Sequence, residues 1–570
     1  MDKMQKKKLG EILVEKEVIT SDQLTQALAE QRRTGERLGR VLVNLGFITE
    51  RELIKFLGAQ MDIPPVNLDN YLIDPQTIDL VPQSLAKRYV LIPVFKSEDT
   101  LTVAMADPLN VFAIDDLQAR AKCKIVPAVA SEADILKAID QYYGISESME
   151  EVIKEVSEEK FKMEEVEEVD LDKIEALAEE MPIIKLVNLI IMQAIKDRAS
   201  DIHIEPERDK LRTRYRIDGI LYEVPSPPKR LQPAIVSRIK IMAGMDIAEK
   251  RLPQDGRIRL RMRNKDIDLR VATLPTLFGE KVVLRILERG AMIVALDKLG
   301  LLPDTRKRYE EIISRPYGIV LSTGPTGCGK SSTLYASLNK IKSTKTNIIT
   351  IEDPIEYQIS LVNQVQINPK AGLTFASGLR SFLRQDPDII MVGEIRDLET
   401  AEIAVHASLT GHLVLSTLHT NDAPTAFTRL IDMGVEPFLA SSAVAAVMAQ
   451  RLVRTICPKC KEEYQPPKEV LEELGLSKEK GLKFYRGKGC GNCKNTGYFG
   501  RTGIFELLIP NEKIKDMVVK KTPSTELRKE AMRAGMMSLR EDGVFKIKKG
   551  ITSVGEVLRV TQEEEFKITA

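Results

Sequence analysis

The sequence predicts a multidomain α/β protein with a parallel sheet in its C-terminal half. Two observations lead there. From about residue 296 onward, short apolar runs at 319–322, 348–351, 389–392 and 413–416 read as strands, with helix-length segments between them. That alternation argues a parallel sheet covered on both faces. The chain also has 570 residues, room for about three to five domains.

Residues 1–61 form an internal repeat. Lys8-Leu-Gly-Glu-Ile-Leu-Val-Glu aligns with Arg37-Leu-Gly-Arg-Val-Leu-Val-Asn, and the copies close on Gln31 and Gln60. Each copy reads as helix, turn, helix, with Thr20 and Thr49 as N-caps of the second helices. Residues 62–145 mix strands at 90–94, 101–104 and 125–130 with helical stretches, which suits a small α/β domain. Residues 146–181 are strongly acidic and poor in bulky apolar side chains, so they read as a linker. Pro182 opens a helix expected over 183–199, and 182–290 then alternates strand patterns with arginines, as in Leu211-Arg-Thr-Arg-Tyr-Arg-Ile217. That region predicts a curved sheet. Residues 291–570 make the last domain.

Composition narrows the function. The net charge is +1, tryptophan is absent and aromatics are 5 %. A neutral, aromatic-poor chain argues against a nucleic-acid partner. No apolar run approaches the ~18–20 residues needed to cross a bilayer; the longest, 438–448, falls well short. The expectation is a cytoplasmic protein, with any membrane association made through a partner.

The stretch Gly324-Pro-Thr-Gly-Cys-Gly-Lys330-Ser331 fits the phosphate-loop pattern, between the strand Gly318-Ile-Val-Leu-Ser-Thr and a helix expected over 331–341. The glycines let backbone N–H groups wrap a phosphate chain at a helix N-terminus. Gly324, Pro325, Thr326, Gly327, Cys328, Gly329, Lys330, Ser331 and Ser332 are therefore the candidate ATP contacts. Lys330 would reach the β- and γ-phosphates and Ser331 would hold Mg²⁺. Ligands bind beyond the carboxyl ends of parallel strands. There the chain places Glu352-Asp353-Pro354-Ile355-Glu356, Gly393-Glu394-Ile395-Arg396 and Thr417-Leu418-His419. Glu394 takes the Walker-B position and joins Ser331 on the metal. Gly393 stands where many such enzymes carry an aspartate. Glu356 is the first choice to activate water. His419 either contacts the γ-phosphate or is structural.

Cys457-Pro-Lys-Cys460 and Cys490-Gly-Asn-Cys493 supply four thiols in two C-x-x-C knuckles, without a nearby histidine. That set suits a closed tetrahedral Zn²⁺ site within an insertion at about 455–500. A redox pair is the alternative. Cys123 and Cys328 show no partner in the sequence.

The phosphate loop, Thr350-Ile-Glu-Asp-Pro-Ile-Glu356, Asp388-Ile-Ile-Met-Val-Gly-Glu-Ile-Arg396 and Thr410-Gly-His-Leu-Val-Leu-Ser-Thr-Leu-His-Thr420 together resemble the secretion ATPase superfamily, over nearly the whole chain. Within it the chain is similar to type IV pilus assembly ATPases and to type II secretion ATPases. The resemblance implies a homohexamer of RecA-like phosphate-loop domains. Each would be preceded by a PAS-like α+β domain and by a helical plus α/β N-terminal regulatory region. It implies ATP between the last two domains, arginines from the preceding domain on the phosphates, and an inner-membrane platform protein as partner. Matched motifs favour Arg270 and Arg285, with Arg257 less clearly placed. A type II secretion client, a nucleic-acid motor and a non-hydrolysing sensor scaffold are the alternatives. The N-terminal repeat resembles the tandem motif by which some of these ATPases bind cyclic di-GMP. Carried over, the positions are Lys8, Leu9, Gly10, Gln31, Arg37, Leu38, Gly39 and Gln60. The first copy departs at Lys8, since lysine lacks the planar fork of arginine, and at Glu17, which stands where the second copy has Gly46. A helical docking domain without ligand is the other reading.

Overall fold

The computed structural model describes residues 63–68, 71–108, 110–143, 181–262, 265–288, 294–476 and 481–561. It also describes 10–49, apart from 11, 12, 15, 17, 36 and 37. The chain divides into two compact units, Met1–Arg289 and Gly290–Ala570.

In the first unit, α1 (Ser21–Thr34) starts on a capping box: the Thr20 hydroxyl accepts from Gln23 N–H, and the Gln23 side chain accepts from Thr20 N–H. It ends on Gly35 at φ 73°, and α2 (Leu38–Asn44) follows. The repeat folds by equivalent positions. Leu13 and Leu42 share one small core, as do Ile19 and Ile48. The helix expected after Thr49 lies outside the described residues, as does 146–180.

Next comes a three-stranded sheet in the order β1 (Leu91–Ser97), β2 (Thr100–Met105), β3 (Lys124–Val129). The β1–β2 pair is antiparallel and β2–β3 is parallel, joined through α3 (Val111–Ala121). Helix α4 (Glu132–Tyr142) packs its Ile135, Ala138 and Ile139 into the same core.

Helix α5 (Met181–Lys196) is shorter than the expected 183–199. Arg198 turns at φ 58°, and Ala199 already opens a strand. Antiparallel pairing of 199–206 with 211–217 takes the chain into sheet there rather than further helix. Six antiparallel strands follow, β4 (Ala199–Pro206), β5 (Leu211–Ile217), β6 (Ile220–Val224), β7 (Gln254–Met262), β8 (Lys265–Thr276) and β9 (Gly279–Glu288), in the spatial order β6-β5-β4-β9-β8-β7. Helices α5 and α6 (Gln232–Ala243) bury their apolar residues with Ile202, Leu269 and Leu284 of this sheet. The arginines alternate out of that core.

The second unit is built on seven strands in the order β12-β11-β13-β14-β10-β15-β18. They are β10 (Gly318–Thr323), β11 (Ile348–Glu352), β12 (Asn363–Gln366), β13 (Ile389–Val392), β14 (Leu413–Leu418), β15 (Val444–Ile456) and β18 (Tyr498–Leu508). All pairs are parallel except β15–β18, so the sheet carries one antiparallel edge that the sequence did not suggest. Strand β10 feeds both faces: Ile319 and Leu321 enter one core, and Val320 enters the other. Thr417 and Leu418 belong to β14, two residues beyond the expected strand end. The apolar run 438–448 divides between the helix Pro437–Ala443, which buries Ala440, Ser441 and Ala443 but leaves Phe438 exposed, and the largely buried start of β15. No described helix is long and apolar enough to cross a membrane. A small ribbon, β16 (Lys461–Tyr464) with β17 (Phe484–Gly487), lies between β15 and β18 in sequence.

Candidate functional site

Strand β10 delivers the loop 324–329 to the N-terminus of α7 (Lys330–Ile341). Gly324, Gly327 and Gly329 have φ of 146°, 78° and 94°, a region closed to most side chains. At Gly324 space also decides: a Cβ would sit 2.6 Å from both the Cys328 Sγ and the Gln450 carbonyl oxygen. Lys330 is 9 % exposed and its Nζ donates to the Gly324 and Pro325 carbonyls at 2.8 and 3.2 Å. Burial is the main reason its pKa is lowered; Arg451 lowers it further, while Cys328 and Glu394 pull it back up. A desolvated ammonium with so little carboxylate around it is poised for an anion. Burial keeps Cys328 as a thiol by raising its pKa.

Gln450, on β15, was not singled out by sequence motifs. It is 2 % exposed and ties the loop together. Its amide donates to the Cys328 carbonyl at 2.8 Å and accepts from Thr333 at 2.8 Å and Ser322 at 3.2 Å. Its neighbour Arg451 donates to Asn421 Oδ1 at 3.3 Å, and its guanidinium lies 3.2 Å from where a Cβ at Gly324 would be. The sequence signal for Gln450 was an amide at the end of the apolar run 443–449, inside what is strand β15.

The acids after β11 have different jobs. Glu352 is 4 % exposed and accepts from the Tyr335 hydroxyl, from Thr350 at 2.6 Å and from Gln364 at 3.0 Å. It is a structural carboxylate, not a strand-end acid open to ligand. Tyr335, from α7, also accepts from the Glu356 N–H at 3.1 Å. The helix that follows the phosphate loop thus fixes the segment that carries Glu356, which is half-buried.

Glu394 follows β13. Its carboxylate meets Arg396 at 2.6 Å and His419 Nε2, beyond β14, at 3.4 Å. The ends of β13 and β14 therefore contribute side chains to one place. Gly393 has a steric reason: a Cβ there would stand 3.3 Å from the Ile351 carbonyl and 3.4 Å from the Glu352 Cα. An aspartate at 393 would press on β11.

The arginines lie in the first unit. Strand register aligns Arg216, Asp201, Arg285, Arg270 and Arg257 in one row across five strands. Arg285 pairs with Asp201 at 3.0 Å yet stays 60 % exposed. Arg257 is held by Asp268, itself 2 % exposed, with its Nε at 2.7 Å.

The four cysteines converge just past β15. Their sulfurs all lie within 4.8 Å of one another. The pairs 457–490, 460–493 and 490–493 stand at 3.9, 3.7 and 3.7 Å. A tetrahedron of sulfurs at Zn–S distances of about 2.3 Å has edges of about 3.8 Å, so the set fits one ion. The Gly489 N–H donates to Cys460 at 3.3 Å, and those of Cys490 and Gly497 donate to Cys493 at 3.2 and 3.3 Å. Burial opposes ionisation of Cys493, but these N–H groups and the neighbouring thiols bring it to about 7. Burial and the neighbouring thiols push Cys460 to about 12.

The model of the type II/IV secretion system protein family matches residues 176–559, and that of the MshEN domain matches 61–149. The chain belongs to the type II/IV secretion system protein family. It is 46 % identical to a type IV pilus assembly ATPase PilB of Myxococcus xanthus over 98 % of this chain and all of that one. It is 45 % identical to a type II secretion system ATPase E of Vibrio cholerae, over 86 % of this chain and 98 % of that one. The ATPase DotB of Yersinia pseudotuberculosis shares the fold, at TM-score 0.50 and 19 % identity over 66 % of this chain and 93 % of that one. The repeat at 8–60 precedes the MshEN match. There Gly10 is buried, and a Cβ on it would meet Leu24 at 2.4 Å and Leu38 of the second copy at 3.2 Å. Gln31 and Gly39 are partly exposed. Lys8, Leu9, Arg37 and Gln60 lie outside the described residues.

Proposed function

We propose that the chain is the ATP-hydrolysing motor of type IV pilus assembly, working as a ring of six copies at the cytoplasmic membrane through a platform protein. The observation that carries this reading is the end-to-end identity of 46 % with a pilus assembly ATPase, on a chain whose phosphate loop is fully formed. In it, backbone N–H groups of 324–329 and the Lys330 ammonium bind the β- and γ-phosphates. The Ser331 hydroxyl and Glu394 carboxylate are oxygen donors of the kind Mg²⁺ takes; the ion would neutralise charge between the phosphates. Glu356 orients the attacking water, and His419 senses the γ-phosphate through its link to Glu394. Arg285 and Arg270 are the candidate fingers by their matched motifs, and Arg257 of the same sheet row, held by Asp268 as Arg285 is by Asp201, is the less clearly placed third.

The domains are proposed as 1–61, 62–145, 182–290 and 291–570, with a linker at 146–181. The six-stranded unit is read as PAS-like and the seven-stranded one as RecA-like. Zn²⁺ in the four-cysteine site would close the 455–500 insertion. The equivalent burial of Leu13 with Leu42 and of Ile19 with Ile48 supports two like-folded copies, and cyclic di-GMP binding by them is proposed from the matched repeat positions. The identity to a type II secretion ATPase supports a second client. Deleting the gene in its host separates the two. Loss of surface pili with protein secretion intact is expected, and the reverse outcome would assign the motor to secretion.

A further inference from the structure

The first unit contains a cavity of about 860 Å³ between α4, α5, α6 and the free edge of β7. Pockets that hold small organic ligands span roughly 300–1,000 Å³. Four cations line it from three elements: Lys137 on α4, Arg238 on α6, and Arg257 and Arg259 on β7. No carboxylate is among its lining residues. Arg257 shares its charge with Asp268.

Two further features say more than charge. Asn188 on α5 is 5 % exposed and lines the cavity, so its amide is placed to meet a molecule there. The edge of β7 adds main-chain groups. The Arg261 carbonyl points outward and accepts from the Leu72 N–H at 2.8 Å. Period-two alternation carries the same outward aim to Arg259 and Arg257. Ile184, Ile241 and Met242 supply an apolar wall.

We propose that this cavity is a second ligand site, separate from the phosphate loop, for a phosphate-bearing molecule of nucleotide size. Arg238, Arg259 and Lys137 take the phosphates, and Arg257, tied to Asp268, is left to its own sheet row. The Asn188 amide, which both donates and accepts, reads the edge of a flat ring lying on the apolar wall. This goes beyond the proposed motor activity and stands or falls without it.

The chain has no tryptophan, so Tyr71→Trp, at the cavity wall, gives a single local fluorescent reporter. The full-length protein is titrated with ADP and, separately, with inorganic pyrophosphate. The expected result is a saturable change with ADP, about tenfold weaker with pyrophosphate and about tenfold weaker again in an added Asn188→Leu. No saturable change at millimolar ADP overturns the site, as does a change indifferent to Asn188→Leu. Equal response to pyrophosphate overturns the nucleotide assignment. Hydrogen exchange of 184–188 and 254–262 in the unsubstituted chain provides the second readout. Slowing by ADP that is lost in Asn188→Leu supports the site, and no slowing overturns it should Tyr71→Trp fold poorly.

Discussion

The phosphate loop and the cysteine knuckles are both glycine-rich turns, and one strand serves both. β15 presents Gln450 to the loop and ends at Ile456, one residue before Cys457. They are held in shape by different means. The phosphate loop is organised by protein alone, through Gln450 and the Lys330 ammonium on the loop's own carbonyls. The knuckles are joined by a few backbone bonds, such as Cys457 N–H to the Gly497 carbonyl and Lys488 N–H to the Cys460 carbonyl, both at 2.9 Å, by N–H···S contacts, and by four sulfurs at the separation of a metal's ligand shell. A site that must bind and release ligand in each cycle needs its shape beforehand. A site whose ligand stays can take its shape from the ligand.

Removing metal should show the largest difference. About one zinc per chain is expected by elemental analysis. A strong chelator should unfold 455–500, with a loss on the order of 10 kcal/mol of local stability, while nucleotide binding persists; limited proteolysis and a nucleotide titration would read both. A chain that loses both together would mean that the two sites are not independent. Glu394→Gln should lower ATP turnover by about 10²–10⁴-fold with binding and zinc content unchanged. Unchanged turnover would remove Glu394 from the hydrolytic site.

Gln450→Leu strands the Cys328 carbonyl and two hydroxyls, at a cost of about 1–3 kcal/mol. It should weaken nucleotide binding about tenfold without touching the zinc, as a denaturant midpoint and calorimetry would report. The smallest effect concerns the strand itself. Burial raises the pKa of Glu556, but Arg559 and Arg454 on β15 more than offset it and hold it below 4.5. A depressed acid stabilises above its unfolded pKa and loses that contribution as pH falls through the folded one. Acid should therefore loosen β15 below about pH 4.5, and Glu556→Gln should flatten that part of the stability–pH curve.

The two sites also differed in how far the sequence revealed them. Ligands within one contiguous stretch were legible: the loop from Gly324 to Ser331, and each C-x-x-C pair. Local chemistry at fixed spacing is enough there. Glu352 misled, because a strand-end acid looks the same in sequence whether it faces ligand or a buried tyrosine. Gln450 escaped because its partners Ser322 and Thr333 are more than a hundred residues away. The helix expected to run to 199 stopped at Lys196, where burial of β4 outweighed helix propensity.

By itself the sequence determined the alternation of strands and helices, the phosphate loop, the four thiols and the repeat. All rest on residues near one another along the chain, where periodicity and spacing act directly. Tertiary structure alone decided the antiparallel edge strand, the row from Arg216 to Arg257, the closing of the four sulfurs and the ties of Arg285 to Asp201 and of Arg257 to Asp268. Those depend on strand register and on burial. Both are set by packing between distant segments, which no local pattern encodes.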